Sequence, residues 1–523
     1  MKDVCLVGEM FAGKDEINYI TSMRTLGISY LASCLRKKGF TVDIIDPILH
    51  QYSVEDCFQI IQKCEYKYFG FSIMLNYSYT MELIRRLRED GYSQHFTIGG
   101  VYVTTNNRYI LTYNQDIGID SAIIGEGEET IVELVSCLER DMDWRKIQSI
   151  AYISDGKFVI NERRERIKKL DTVPFPAMDD VSYCIENHMP VSVYTSRGCP
   201  GTCLYCGSNN LLNDKKNNWI CRTAENVMQE IRLLYHQYQV RRISFVDDNF
   251  VGSLDVGVHR AKEICKKIIE EKIEIEFFLE CRPDSLTEEL VQLLYLAGCR
   301  TVFLGIESAS EERLKEMGRP TLSPEKNQNA INLLNKYKIE PMIGFMMFTP
   351  NSKIEDIKIN ISFFEKYIEE RFVGNFKTQA ITSILFSDLI AIPGTFTRKI
   401  LEKELRINEK DGSYIPSDPN VYLLRTILKD YDIQLFITSI EKRIRREWID
   451  IYTKNQINKI SHIKFYEKKL VLMSINFLKD IVNLIEIGNM IAVTSVVILF
   501  KRDVLNFSSY AIRKIRKMLK EGE

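Results

Sequence analysis

The run Ser196-Arg197-Gly198-Cys199-Pro200-Gly201-Thr202-Cys203-Leu204-Tyr205-Cys206 places three cysteines at C-x3-C-x2-C, directly after the strand-like stretch Val191–Thr195. A turn of that length can aim three thiolates at one centre. Three thiolates on a [4Fe–4S] cluster leave one iron without a protein ligand, open to a substrate or cofactor. The competing reading is a zinc site, which needs a fourth ligand. Cys221 and His188 are the nominees for it, and neither has finger-like spacing.

The stretches that follow this run alternate strand and helix. Strands are predicted at Val191–Thr195, Arg242–Val246, Glu274–Leu279, Thr301–Gly305, Pro341–Phe345 and Thr378–Ile384. Helical patterns lie between most of them, including Ala224–Tyr238, Val258–Glu271, Thr287–Ala297, Glu311–Met317 and Lys353–Tyr367. Six βα units at this spacing predict a partial (βα)6 barrel over 191–395. Beyond Pro393-Gly394-Thr395 the chain turns mostly helical and charged, giving a helical C-terminal domain over 396–523.

Upstream, residues 1–140 alternate in the same way. Val4–Val7, Val42–Ile45, Tyr68–Ile73, Phe96–Ile98 and Ser121–Ile124 read as strands, and Leu26–Lys38, Thr80–Arg88 and Thr130–Leu138 as helices. Strands alternating with helices imply a doubly wound, Rossmann-like parallel sheet whose ligand lies outside the carboxyl ends of the strands. There the glycines gather, as Gly99-Gly100 and Gly125-Glu126-Gly127-Glu128. Residues 141–190 form a linker, with a hairpin signal at Asp155-Gly156-Lys157 and a break at Pro174-Phe175-Pro176-Ala177.

The bulk numbers narrow the function classes. The 523 residues suffice for about three domains. A net charge of −1 argues against a general polyanion binder, so no nucleic-acid partner is expected. Thirteen cysteines, an odd count in a long chain, favour metal or redox chemistry over a disulfide framework. The start lacks a signal-peptide core, and the longest late apolar run, Met490–Phe500, is short of the ~20 residues that span a bilayer. A cytoplasmic location is expected.

These motifs in this order resemble the radical S-adenosylmethionine (radical SAM) superfamily, whose signature is C-x3-C-x2-C on a partial barrel, with an aromatic residue such as Tyr205 before the third cysteine. Ile243-Ser244-Phe245-Val246-Asp247-Asp248-Asn249-Phe250 looks like the family's second strand ending. Arg282-Pro283-Asp284 looks like the element after the third strand, and Ala297-Gly298-Cys299 with Val302–Ser308 like the fourth. Ile392-Pro393-Gly394-Thr395 resembles the close of the catalytic domain in a subgroup that carries an N-terminal cobalamin-binding domain. Residues 1–135 are similar to that domain, through Leu26–Ala32, Gly70-Phe71-Ser72, Ile98-Gly99-Gly100 and Gly125–Thr130. The resemblance covers about residues 1–395. One departure stands out: the Asp-x-His-x-x-Gly motif of histidine-ligated corrinoid proteins is missing, since Gly8–Gly13 holds no histidine and His50 follows the second strand at the wrong spacing.

The resemblance implies three cofactors: a [4Fe–4S] cluster on Cys199, Cys203 and Cys206, S-adenosylmethionine and cobalamin. It implies that Tyr205 packs near the adenine, that Asp247, Asp248 and Glu307 hold the methionyl amino group or ribose, and that Arg282 grips the methionyl carboxylate. The ordinary readings are barrel packing for Tyr205, a helix cap for the aspartates, a structural hydrogen bond for Glu307 and an ion pair with Asp284 or Glu280 for Arg282. Gly99, Gly100, Gly125 and Gly127 would let the backbone approach the macrocycle or its nucleotide tail. The stretch Ser72–Asn76 would shape the lower face of cobalt. Cys281 and Cys299 read as buried packing residues.

In such a family, reductive cleavage of S-adenosylmethionine gives a 5′-deoxyadenosyl radical that abstracts hydrogen from an unactivated carbon, and in methylating members methylcobalamin delivers the methyl group. The leading expectation is therefore a cobalamin-dependent radical SAM methyltransferase acting on carbon. The alternatives are a non-methylating rearrangement, cyclisation or oxidation, and a non-catalytic corrinoid or iron–sulfur sensor. The implied partners are a small-molecule or peptide substrate and a reductant such as flavodoxin or ferredoxin. The basic amphipathic tail Ala511–Lys520 suits either a solvated face or a weak contact with a membrane surface.

Overall fold

Val4-Cys5-Leu6-Val7 is apolar at every position because its strand is covered on both faces, as the inner strand of a parallel sheet must be. The computed structural model describes residues 2–10, 24–74, 77–208, 218–253, 255–370, 381–408, 412–453 and 460–520. Contacts divide the chain into two compact units: Met1–Pro200 with Cys206–Leu279 and Leu296–Gly298, and Gly201–Tyr205 with Glu280–Tyr295 and Cys299–Glu523.

The first unit opens with a seven-stranded sheet. Its strands are β1 (Lys2–Val7), β2 (Val42–Ile45), β3 (Tyr66–Ser72), β4 (His95–Gly99), β5 (Ser121–Ile123), β6 (Ile150–Ser154) and β7 (Lys157–Ile160), in the order β2-β1-β3-β4-β5-β6-β7. The first five pair in parallel. The hairpin predicted around Asp155-Gly156 is present, and it extends the sheet antiparallel to β5, so the sheet continues past residue 140.

The two faces are packed differently. One buries Phe69, Phe71 and Phe96 edge to face, with centroids 5.0 and 5.5 Å apart, under the helices Val54–Ile61, Ser78–Glu89 and Val101–Tyr113. The other buries Val4, Leu6, Val42 and Ile123 under the helices Leu26–Lys37 and Glu128–Glu139. The order reverses between β1 and β3, so the crevice at their carboxyl ends is the topological switch point.

The βα series follows with β8 (Val191–Val193), β9 (Ser196–Gly198), β10 (Trp219–Cys221), β11 (Arg242–Phe245), β12 (Glu276–Cys281), β13 (Cys299–Glu307) and β14 (Glu340–Phe345). In the first unit β8, β11 and β12 pair in parallel, and β9 and β10 form a small antiparallel ribbon beside them in sequence. In the second unit β13 and β14 pair in parallel, with a register shift between Gly305 and Glu307.

The sixth strand expected at Thr378–Ile384 is not formed in its described part, where Ile381–Ile384 is a short helix; its first three residues lie outside the described residues. Ile381-Thr382-Ser383-Ile384 is rich in β-branched residues but only four residues long, too short for periodicity to tell a strand from a helical turn. Beyond it, Thr395 and Asp418 cap the helices Phe396–Lys403 and Pro419–Asp430 through side-chain oxygens. The helices Ile433–Thr453, Ile460–Glu486 and Met490–Lys520 complete the unit. Ile460–Glu486 lies on Ile354–Glu370, bridged by the ion pairs Lys358–Glu486 and Lys479–Glu365. The basic tail is the last third of Met490–Lys520, with Ala511 and Ile515 buried and Arg513, Lys514, Arg516 and Lys517 exposed. No helix among the described residues is long and apolar enough to cross a membrane.

A titratable group lies between β4 and β5. His95 Nε2 is 2.9 Å from Ser121 Oγ, and its ring meets Trp144 edge to face at 4.9 Å. Burial pushes the imidazole down to about 4, with nearby Asp120 opposing. The folded value lies below the unfolded one, so the unfolded chain takes up the proton first. This contribution is complete above about pH 6.5 and is lost as pH falls towards 4. Melting temperatures of the native chain and of His95→Gln, measured from pH 7.5 to 4.5, are expected to show a shallower acid decline in the variant.

Candidate functional site

The sequence-derived residues of the N-terminal domain converge. One cleft at the carboxyl ends of β1, β3, β4 and β5 is lined by Leu6, Gly70, Ser72, Thr97, Gly99, Gly100, Ile123, Gly125 and Gly127, with Gly27, Leu31 and Glu128 opposite. It encloses about 640 Å³ of empty space open to solvent. Ser72, Gly99, Gly100, Gly125 and Gly127 therefore share one wall system. Leu75 and Asn76, the end of the stretch expected to shape the cobalt face, lie outside the described residues, as does Phe11–Gly13.

Two glycines there are required by the backbone. Gly100 has φ +105°, and a Cβ on it would stand 2.5 Å from the Ile73 carbonyl oxygen. Gly125 has φ +88°. Gly27 has open space where its Cβ would be, so the helix Leu26–Lys37 presents bare backbone to the cleft. A broad cleft walled by glycine and aliphatic side chains fits a bulky, largely apolar macrocycle held by shape and backbone contact. His50 is not among its lining; the imidazole bonds Asp180 at 3.0 Å and packs on Tyr52 and Tyr183.

Asp247 closes the end of β11 in the first unit. Its buried carboxylate accepts, through Oδ1 alone, the Thr195 N–H at 3.0 Å, the Thr195 hydroxyl at 2.9 Å and the Ser196 hydroxyl at 2.5 Å. Oδ2 is buried without a hydrogen-bond partner. Burial raises this carboxyl above the usual range, opposed by Arg260 and the three donors. Asp248 is exposed, and its carboxylate accepts from the Gly198 N–H and from Ser208. Neither aspartate caps a helix; both brace the cysteine segment. Asn249, fully buried, directs its amide at Cys199 Sγ, 3.8 Å away. A donor on a ligand sulfur is one of the levers that set a cluster's potential.

The second unit holds the other residues. Tyr205 packs with Leu314, Met317 and Leu322, and its hydroxyl accepts from Arg319 at 3.1 Å. Arg319 is buried and also pairs with Glu307. Burial pushes the Tyr205 phenol up, reinforced by Glu307. Glu307 has φ +67°, a strained conformation for a side chain with a Cβ, at the register shift that ends β13. Leu204 N–H bonds the Met317 carbonyl, and Gly318, at φ +77°, lets that segment approach. Arg282 donates from Nε and Nη2 to the two oxygens of Asp284 at 2.9 and 2.8 Å, and to Thr321 at 2.8 Å. The ion pair foreseen as its ordinary reading is thus formed.

Cys199, Cys203 and Cys206 are each half-buried. Among the described residues no three His, Cys, Asp or Glu side chains are gathered as a single-ion site. Three thiols on an eight-residue turn suit a cubane, whose thiolates sit on separate irons. Cys221 pairs with Ser196 across the β9–β10 ribbon, and burial raises its thiol; His188 is an exposed turn residue at φ +53°. Cys281 and Cys299 are buried packing residues. Sequence reasoning missed Arg319 and left Asn249 and Arg197 unassigned. Asn249 and Arg197 lie inside the quoted motifs, whereas Arg319 carries no spacing signal.

Comparisons with known proteins match both parts of the chain. The sequence model of the B12 binding domain matches residues 18–135, and that of the Radical SAM superfamily matches 193–364. An uncharacterized methyltransferase of Pyrococcus horikoshii is 28% identical over 345 residues, 65% of this chain and 73% of the relative. The cobalamin-dependent S-adenosylmethionine radical enzyme OxsB, solved with aqua-cobalamin and S-adenosylmethionine, superposes with a TM-score of 0.71 at 18% identity, over 100% of this chain and 81% of that one. The radical S-adenosylmethionine methyltransferase TsrM from Kitasatospora setae superposes at 0.56 and 17%, over 70% and 71%.

Three substitutions test the site. Gly100→Ala is expected to cost at least about 2 kcal/mol, because strain and the Ile73 clash add, and to weaken cobalamin retention on an anaerobic desalting column. Cys203→Ala is expected to abolish the iron–sulfur absorbance of the reconstituted protein, while Cys221→Ala keeps it; loss of the cluster in Cys221→Ala would mark a fourth protein ligand instead. The chain thus joins a B12-binding domain to a radical SAM domain, and the pair implies S-adenosylmethionine, a [4Fe–4S] cluster and cobalamin as its cofactors.

Proposed function

We propose that the protein is a cobalamin-dependent radical SAM methyltransferase that places a methyl group on an unactivated carbon of a small molecule. The observation that carries the reading is the glycine-walled cleft at a strand switch point, in the same chain as C-x3-C-x2-C at the head of a βα series. The methyltransferase names of the Pyrococcus horikoshii relative and of TsrM support methylation over a non-methylating radical reaction. The length of the retained βα series weighs against a sensor, since sensing needs no enclosed space for a radical.

When bound, the cluster supplies the electron that cleaves S-adenosylmethionine and cobalamin carries the methyl group. The chain's own residues bind and orient. Cys199, Cys203 and Cys206 hold the cluster. The unpartnered Asp247 Oδ2 suits an ammonium donor such as the methionyl amino group. Glu307, fixed by Arg319, presents a carboxylate at a strand end, where sites on such series gather. Tyr205 bears on the adenine side. Arg282 spends two of its donors on Asp284, which leaves the methionyl carboxylate to its third nitrogen at most. Asp248 braces the Gly198 turn. Ser72, Gly99, Gly100, Gly125 and Gly127 contact the corrinoid. A flavodoxin or ferredoxin is the matching reductant, and the cytoplasm the matching compartment.

The test is anaerobic reconstitution with iron, sulfide and hydroxocobalamin, then turnover with reductant and candidate substrates. S-adenosylhomocysteine formed together with 5′-deoxyadenosine is expected. Formation of 5′-deoxyadenosine alone, with a substrate that is consumed, would replace methylation by a rearrangement, cyclisation or oxidation.

A further inference from the structure

Arg197 stands two residues before Cys199, on β9. Its guanidinium pairs with Glu126 at 3.1 Å and with Glu128, and all three side chains are largely buried. Glu128 lines the glycine-walled cleft and opens the helix Glu128–Glu139. Glu126 sits between the cleft glycines Gly125 and Gly127 and is itself held by the Ile167 N–H at 2.7 Å. A buried guanidinium shared by two carboxylates is a stiff element, because withdrawing the guanidinium leaves two buried carboxylates uncompensated.

The far side of Arg197 is equally constrained. Its strand pairs with β10, Arg197 opposite Ile220. The neighbouring Ser196 hydroxyl bonds Asp247, and the Cys199 sulfur receives the Asn249 amide. A displacement of the Gly125–Glu128 turn therefore reaches Cys199 through one side chain and two residues of braced backbone.

We propose that Arg197 is a positioning residue that couples occupancy of the corrinoid cleft to the stability of the cluster. The proposal rests on the cofactor assignment and on Cys199 as a ligand, but not on methylation. A corrinoid seated against Gly125 and Gly127 fixes the turn, the turn fixes Arg197, and Arg197 fixes the first ligand segment. Coupling between equilibria is reciprocal, so the cluster tightens corrinoid binding by the factor by which the corrinoid stabilises the cluster.

The experiment uses the full chain, anaerobically reconstituted with iron and sulfide, with and without hydroxocobalamin. The rate of cluster loss to an iron chelator is followed by visible absorbance, and corrinoid affinity is measured with and without cluster. In the native chain hydroxocobalamin is expected to slow cluster loss about fivefold or more, the low end of couplings between sites. Arg197→Met should bring that ratio close to one while both cofactors still bind. Glu128→Gln, which keeps the arginine, should reduce it, and the double variant should be no worse than Arg197→Met. Arg197→Lys, which lacks the fork that spans two carboxylates, should fall between. If Arg197→Met does not fold, Glu128→Gln and Arg197→Lys carry the test. An undiminished ratio in these variants, or no protection in a native chain that binds hydroxocobalamin, overturns the proposal and leaves the enzyme assignment standing. Failure of the native chain to bind hydroxocobalamin at all overturns both.

Discussion

The geometry at the head of the βα series hangs on one buried carboxylate. Asp247 gathers three donors from Thr195 and Ser196 onto a single oxygen, fixing the backbone where β8 ends and the cysteine run begins. Taking a carboxylate out of water costs several kcal/mol, which hydrogen bonds to the charged form and a nearby cation must offset. Arg260 is that cation; it is itself buried, and it donates to the Thr195 and Phe250 carbonyls. One strand end is thereby pinned from two directions. The other carboxylate oxygen is left open, which a folding-only arrangement would not favour.

The second unit solves a similar problem with its own set. Glu307 persists at φ +67°, a conformation that costs of order 1–3 kcal/mol, because Arg319 holds its carboxylate and Met346 N–H holds its carbonyl at 2.9 Å. Arg319 also reaches the Tyr205 hydroxyl, next in chain to Cys206. In both units a residue beside the cysteines is tied to a strand's carboxyl end by a buried charge. Strain and an unpartnered carboxylate oxygen kept at strand ends are costs that a purely structural design would avoid, which is why those ends read as functional.

Much of this was legible in the sequence, and the limits have physical reasons. Val42–Ile45 forms as predicted, because a short apolar strand bounded by Gly39 and Pro47 has no competing period. The strand-end glycines were legible because a positive φ and close packing leave glycine little competition. The helical turn at Ile381–Ile384 was not, since four residues rich in β-branched side chains suit either state. Ion pairs were the least visible. Arg319 meets Glu307 from twelve residues away, and Arg197 meets Glu126 and Glu128 from about seventy. Nothing local marks an arginine that completes a distant carboxylate. The Arg282–Asp284 pair, two residues apart, was foreseen for the opposite reason.

The glycine-walled cleft shows what a missing motif means structurally. Its described lining holds glycine, serine, threonine, one glutamate and aliphatic or aromatic carbon, and no histidine. His50, the nearest imidazole in sequence, is committed to Asp180 and two tyrosines, so freeing it would break a half-buried hydrogen bond and ring contacts. A macrocycle held there would be gripped by shape and by backbone at Gly99, Gly100, Gly125 and Gly127. Affinity of that kind depends on close approach, so it falls with any Cβ that intrudes and is indifferent to the protonation of an imidazole.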